Sequence, residues 1–406
     1  MSVIQEEGDK IQIEKESIVF SSSSSKRVPK KRFFFDNFFM IADLHIGMKL
    51  GSEEWIENMR NYFEEFFYPL LKEKKDENSV VICLGDIADD RKSINLEAND
   101  LMIEVVEKIA AICPIIIING NHDMYKKSDN KITSLRSLDH IPNTWIIKNP
   151  TVVTIKEIVD VPSGPDEKTT KEKKFKELAF IPYQGDMEKE TKICNACSKS
   201  DYIFMHTDIK NLRYDNGRDI IKGVEIGNIK GHIYSGHIHR RQETEKVTYV
   251  GSPYQLRRSD IGNQKGIYQV FMKSGEVKFY ENHISPIFQK IWLRDILESP
   301  YSEVLRLCGN NYTDILVDGT ESDMFNVASV YDAIKECAPK RVQIKEVNKD
   351  GSYVDDEDDG EYKEMSVSEI IYSLIDKMEV STEKKETLKA MCNRYQELAL
   401  ADDIEE

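Results

Sequence analysis

No apolar run in this 406-residue chain comes near the ~18–20 residues that a membrane span requires; strand-like cores such as SVVICLGDI and PIIIING stop well short of it. The first 30 residues are charged or serine-rich, which excludes a reading as a secretory signal. Cysteine is sparse: seven residues, an odd number scattered along the chain, exclude a disulfide framework and predict a reducing, intracellular setting. The one close pair, Cys194 and Cys197, has no second CxxC or CxxH to complete it and falls in a helical stretch, so no zinc knuckle or redox centre is expected there. Positive charge is in deficit as well, with 56 Lys and Arg against 72 Asp and Glu and a net charge of −16. Taken as an average, that speaks against a nucleic-acid partner. The deficit is local, however. From Val354 onward seventeen acidic residues face six basic ones, a net of −11, which leaves only −5 for the first 353 residues. A phosphate substrate in the main body is not excluded.

What is present falls into segments. Residues 1–32 end in SSSSSKRVPKKR and predict a flexible extension, either a plain tail or a basic arm for nucleic acid or localisation. From 33 to 284 strands and helices alternate, which predicts an α/β domain. Ser52 is the expected N-cap of a helix with Glu53 and Glu54 in its first turn. Its apolar stripe, Trp55, Met59, Tyr62, Phe63, Phe66 and Leu70, keeps helical spacing and predicts core packing. A second helix is expected over LEANDLMIEVVEKIAAI, and an exposed loop over the lysine-rich stretch from Val161 to Lys176. A composition change at Ser285–Pro286 opens a small β-α-β unit over 285–350, followed by an acidic linker over 351–365. The last segment, 366–406, reads as two helices. Its stripe of Ile370, Ile371, Leu374, Ile375 and Met378 is too large for a lone helical pair to bury and predicts a docking face for a partner protein.

Histidine is scarce too, with eight residues, yet five of them fall in five short motifs that each close a predicted strand. These are ADLHIG (Asp43, His45), LGDIADDR (Asp86), NGNHDM (Asn121, His122, Asp123), FMHTD (His206) and SGHIHR (His237, His239). In open α/β sheets ligand sites form at the carboxyl ends of strands. Imidazoles mixed with carboxylates suit Mn, Fe or Zn better than the oxygen-only preferences of Mg and Ca. Seven candidate ligands are too many for one ion and fit two. A shared aspartate can bridge ions ~4 Å apart that stabilise an in-line displacement at phosphorus. His122, with Asp123 beside it to orient its ring, is the expected proton donor to a leaving oxygen. Each motif alone is weak; the ordered set is specific.

That ordered set resembles the calcineurin-like metallophosphoesterase superfamily from about Phe33 to Glu281. The resemblance implies a four-layer α/β/β/α sandwich around a dinuclear metal centre, with a small α+β capping domain and a C-terminal helical pair. It places Asp43, His45, Asp86 and His239 on one ion and Asp86, Asn121, His206 and His237 on the other, with His122 as catalytic histidine. GDIADDRK departs from the GDxVDRG of protein phosphatases. YVGSPYQLRRSD and the order of parts instead resemble the SbcD/Mre-type DNA nuclease subunit, above all its large-phage form. That likeness implies a nuclease of DNA ends with two divalent ions, Mn2+ foremost and Mg2+, Fe2+ or Zn2+ as alternatives. It implies a homodimer bound through the C-terminal helices to an SMC-like ATPase. Arg240, Arg241, Arg257 and Arg258 are the candidate contacts to the phosphate backbone. Two alternatives stay open: a phosphatase of the same superfamily, and a DNA-binding scaffold with little activity of its own.

Overall fold

The structure is a computed structural model. It describes residues 35–126, 131–155, 176–318 and 334–347, with 330, 375, 381 and 384–391, and the backbone of the strand segments 2–5, 10–16, 19–20, 31–32, 129–130, 156–162 and 169–175. Two compact units are present, Met1–Gln289 and Lys290–Glu406.

The first unit is built on two sheets. In one, strands β1 (Asn37–Ile41), β2 (Ser79–Cys83), β3 (Ile115–Ile118) and β4 (Thr144–Ile147) run parallel in the order β4-β3-β2-β1. These apolar runs fit strands that are covered on both faces. In the other, β5 (Thr151–Pro162) and β6 (Thr169–Ile181) form an antiparallel ribbon. Strands β7 (Tyr202–His206), β8 (His232–Gly236) and β10 (Val247–Tyr249) follow in parallel, and β9 (Gln242–Glu243) closes the edge. A final hairpin, β11 (Gly266–Phe271) and β12 (Val277–Glu281), returns to the first sheet and pairs antiparallel with β1.

Side chains alternate across each strand, and one set from each sheet meets in a shared core. Phe38, Met40, Val80, Ile82 and Ile116 of the first sheet cluster with Leu178, Phe180, Phe204 and Tyr234 of the second. Phe38 lies edge-on to Tyr202 and Phe204, with ring centres 5.4 and 5.2 Å apart. The opposite face of the first sheet is covered by α1 (Glu53–Asn61, continuing to Lys74) and α2 (Leu96–Ile112), the latter capped by Asn95 through the amides of Glu97 and Ala98. On the outer face of the second sheet Ile193 and Cys194 of α3 (Met187–Ala196) pack with Ile181, Ile203 and Ile233. The result is the α/β/β/α sandwich.

Ser52 stands at the N-cap of α1 as expected, its carbonyl accepting from the Ile56 amide at 3.0 Å, without a side-chain capping bond. Three expectations are corrected. A π-turn over Tyr62–Phe67 moves the buried stripe by one residue, so Phe67 and Leu71 are enclosed while Phe66 and Leu70 are half-exposed. The stretch from Val161 to Lys176 is mostly a paired ribbon, not a loop: Val161 and Pro162 pair with Thr170 and Thr169, and the register sets Glu157 opposite Lys174 and Asp160 opposite Lys171. The N-terminal extension also carries strands, Ser2–Gln5 and Lys10–Glu16, on the edge of the second sheet, as the alternation in KIQIEKE permits. Its serine run lies outside the described residues.

In the second unit, Tyr312–Val317 pairs in parallel with Arg341–Glu346, over a core that includes Leu293, Val304, Ile315 and Ile334. The acidic linker and Ile370, Ile371, Leu374 and Met378 lie outside the described residues; Ile375 is buried. Among the described residues no helix is long and apolar enough to cross a membrane.

Candidate metal centre

Parallel pairing puts the carboxyl ends of β1, β2 and β3 on one edge, and those of β7 and β8 on one edge of the other sheet. The two edges are tied together. The His237 amide donates to Asp43 Oδ1 at 2.9 Å, and His206 Nδ1 meets the Leu84 carbonyl at 2.7 Å. Just past the strand ends the backbone turns sharply: Asp43, His45, Asp86 and His237 all have left-handed φ, at 54, 47, 54 and 87°. Such conformations in non-glycine residues are strained and concentrate at functional sites.

The seven candidate ligands converge. One cluster holds Asp43, His45 and His239, and a second holds Asp86, His206 and His237. Asn121 joins the second, its Oδ1 3.1 Å from His206 Nε2. Asp86 Oδ2 stands 3.2 Å from His206 Nε2 and 3.8 Å from His45 Nε2, between the clusters.

The outer ring nitrogens are turned toward acceptors. His45 Nδ1 bonds Asp89 Oδ1 at 2.8 Å, and His206 Nδ1 is held by Leu84. His237 Nε2 is 3.4 Å from Asp208 Oδ1, and His239 Nδ1 is 3.6 Å from Asp215 Oδ2. For His45 and His206 these hydrogen bonds fix ring orientation and leave the other nitrogen for a cation, whereas at His237 and His239 the carboxylates stand near without a hydrogen bond. His45 Nε2 and His239 Nε2 then face each other at 3.0 Å. Two nitrogens bound at right angles to one ion at ~2.1 Å would stand ~3.0 Å apart. The residues fit a pair of divalent ions.

A family model for calcineurin-like phosphoesterases matches residues 37–241. The chain belongs to that family. Its curated relatives include exonuclease subunit 1 of Enterobacteria phage T4, 24% identical over 248 residues that cover 60% of this chain and 67% of the relative. A predicted phosphoesterase of Invertebrate iridescent virus 6 is 20% identical over 283 residues, 68% of this chain and 91% of its own length. An uncharacterised protein of Acanthamoeba polyphaga mimivirus is 24% identical over 255 residues, 58% of this chain and 17% of that much longer protein. The family uses a dinuclear metal centre, and the two clusters are this phosphoesterase's candidates for it.

Not every predicted residue of the phosphoesterase has its expected role. Asp123 does not touch the His122 ring. Its two oxygens accept from four backbone amides, those of Asp86 (2.8 Å), Gly120 (2.9 Å), Ile87 (3.0 Å) and Ala88 (3.1 Å). His122 Nδ1 instead meets the Asp89 carbonyl, and the His122 amide donates to Asp86 Oδ1 at 2.7 Å. Among the arginines, Arg241 is committed: it bonds Glu243, Gln264 and Tyr268 and lies over the Phe279 ring. Arg258 lies over Phe288, Arg257 is close enough to lower the basicity of His239, and Arg240 is exposed. The segment after GHIH acts as a brace. Tyr254 OH donates to the Leu44 carbonyl at 2.6 Å, and buried Lys265 reaches the His239 carbonyl, Ser252 and Asp260 at 2.6–2.9 Å. Cys194 and Cys197 are buried thiols pushed up to about 12 by burial, so they are inert.

Without a cation the charges compete. Burial pushes the Asp43 carboxyl up to about 6. Burial acts on Asp86 in the same direction, but His206 outweighs it and holds that carboxyl below the usual range. Burial works against a charged His206, yet the Asp86 carboxylate prevails and raises the imidazole to about 9. His206 is therefore protonated at pH 7 in the ion-free protein, and must lose that proton to ligate. Metal binding at pH 7 is expected to release about one proton, and affinity is expected to rise between pH 7 and 9. Calorimetry in buffers of different ionisation enthalpy checks this; a buffer-independent heat and a flat pH profile would contradict it.

Proposed function

We propose that this phosphoesterase is a metal-dependent DNA nuclease subunit that processes DNA ends in recombination and repair. The observation that carries the reading is the pair of buried His/Asp clusters sharing Asp86, with His122 at their open side. The likeness to an exonuclease subunit of phage T4 supports the choice of DNA over a small phosphoester. Asp43, His45, Asp86 and His239 would hold one ion and Asp86, Asn121, His206 and His237 the other, Mn2+ foremost given the mixture of imidazole, carboxylate and amide donors. When bound, such ions supply an activated water and the positive charge that stabilises a developing phosphorane.

The chain's own groups do the rest. His122 Nδ1 faces the Asp89 carbonyl, so Nε2 is the atom that would carry a proton to the leaving oxygen, and it does so only from the protonated ring, the form that burial disfavours. The ring of Tyr183 is stacked beside His237, 6.3 Å between centres, and fixes that ligand. Arg240 and Arg257 are the proposed holders of the flanking phosphates, and they act on backbone charge alone and so without sequence preference. By the same reading the unit from Lys290 onward contacts DNA, and the segment from 366 docks an SMC-like ATPase in a dimeric assembly.

Protein with Mn2+ is expected to degrade linear DNA. His122→Ala is expected to slow this by about 10²-fold or more, the usual contribution of a positioned proton donor, while bound Mn2+ is unchanged. Hydrolysis of small phosphomonoesters without DNA cleavage would assign a phosphatase; DNA binding with no hydrolysis of either would assign a scaffold.

A further inference from the structure

Next to His122 opens a cleft of about 360 Å3, lined among others by Gly47, Leu50, Asp89, Arg91, Lys92 and Asn95. That is room for a nucleotide-sized group. Its acidic groups are already engaged: Asp89 with His45 Nδ1, and Asp90 with the Lys92 amide (2.8 Å) and the Ser93 hydroxyl (2.7 Å). Arg91 is not. Among the described residues it has no hydrogen bond or ion pair, and its Nε is sealed from water. It lines this cleft together with His122, and its charge opposes protonation of that imidazole.

A guanidinium nitrogen enclosed without an acceptor is costly, and it is the kind of group that an anion completes. The planar fork of arginine suits a phosphate in particular. Two further features point the same way. The positive end of α2 opens on this cleft through its cap, Asn95. Leu50 is 95% exposed on the cleft rim, at a turn where Lys49 and Leu50 both take left-handed φ, 54 and 59°. An apolar side chain held out at that point offers a surface to a sugar or base, not to another anion.

The scissile phosphate belongs at the two ligand clusters. Arg91 lines the same cleft as His122, the residue assigned to the leaving oxygen. We propose that this cleft is a subsite for a second phosphate, one carried by the leaving group, with Arg91 as its main holder and Leu50 against the nucleoside between the two phosphates. The inference rests on the phosphoesterase centre and on His122 as proton donor. The class of ligand is a nucleoside carrying phosphates at both its 3′ and 5′ positions, the repeating unit of a polynucleotide.

Calorimetry on the full-length protein loaded with Mn2+ tests it, using thymidine 3′,5′-bisphosphate against thymidine 3′- and 5′-monophosphates as probes. The bisphosphate is expected to bind about tenfold tighter than either monophosphate, the scale of one charge-assisted contact. Arg91→Ala is expected to remove that difference while monophosphate binding stays as in the wild type, and Arg91→Lys to restore part of it. Equal binding of bisphosphate and monophosphates by the wild type would overturn the subsite. So would an Arg91→Ala variant that weakens all three probes alike, which would move Arg91 to the scissile phosphate. Because no DNA is cleaved in this test, the two failures separate. A protein inert on DNA that keeps its bisphosphate preference counts against the nuclease reading alone.

Discussion

Asp86→Asn is expected to lower hydrolysis of every phosphoester substrate by about 10⁴-fold, or ~5.4 kcal/mol of transition-state stabilisation. The Asp86 carboxylate stands between the two ligand clusters. Its Oδ2 lies 3.2 Å from His206 Nε2 and 3.8 Å from His45 Nε2, while Oδ1 takes the amide of His122. Asparagine keeps one oxygen but replaces the other with an amide group that has no lone pair for a cation. It also removes the negative charge that holds the imidazoles in place. Both ion positions and the backbone of the proton donor are affected by one substitution. Metal content by mass spectrometry should fall with the rate, while the circular dichroism of the sheets stays unchanged. A variant within tenfold of wild-type activity would remove Asp86 from the centre of the site.

Asp123→Ala should give the largest loss of stability, about 4 kcal/mol, through a different cause. Four amides from two strand ends, those of Asp86, Ile87, Ala88 and Gly120, share this one buried carboxylate. Each buried donor left unsatisfied costs ~1–3 kcal/mol, and water entering the vacated space recovers part of the total. For a unit of this size that loss lowers the melting temperature by roughly 10 °C. The loops it joins are packed too tightly for a neighbour to take its place: a Cβ on Gly120 would lie 2.1 Å from Asp86 Oδ1. Thermal unfolding of the ion-free protein measures the effect. A shift of only a degree or two would mean that the four amides find other partners.

The ligand positions were readable from the sequence because each follows an apolar run that can only be a buried strand, and parallel pairing then brings the strand ends together. A histidine-scarce chain makes such a set conspicuous. The carboxylates behind the ligands were not readable. Asp89, Asp208 and Asp215 are ordinary acidic residues in loops, and nothing local marks them as neighbours of His45, His237 and His239; only tertiary approach does. Asp123 misled because adjacency to His122 in sequence suggested adjacency of side chains, whereas successive residues at the turn point to different sides. Arg241 reads in sequence as a contact to the phosphate backbone, yet Glu243, Gln264 and Phe279 enclose it from three segments. The π-turn in α1 and the long ribbon of β5 and β6 escaped for related reasons. One extra residue in a helical turn leaves no sequence mark, and lysine-rich composition hides strand pairing when the partner strand carries the acids.

The seam between the two sheets has a consequence for how the protein is made. Asp43, His45, Asp86 and Asn121 come from the first sheet, whereas His206, His237 and His239 come from the second. The brace that holds the last of them arrives later still, with Ser252, Asp260 and Lys265. A chain emerging from the ribosome therefore lacks its last ligand until residue 239, and the brace behind that ligand until residue 265. Cation capture becomes a late event that reports completed docking of both halves, so a truncated or misassembled chain holds its hydrolytic chemistry in abeyance.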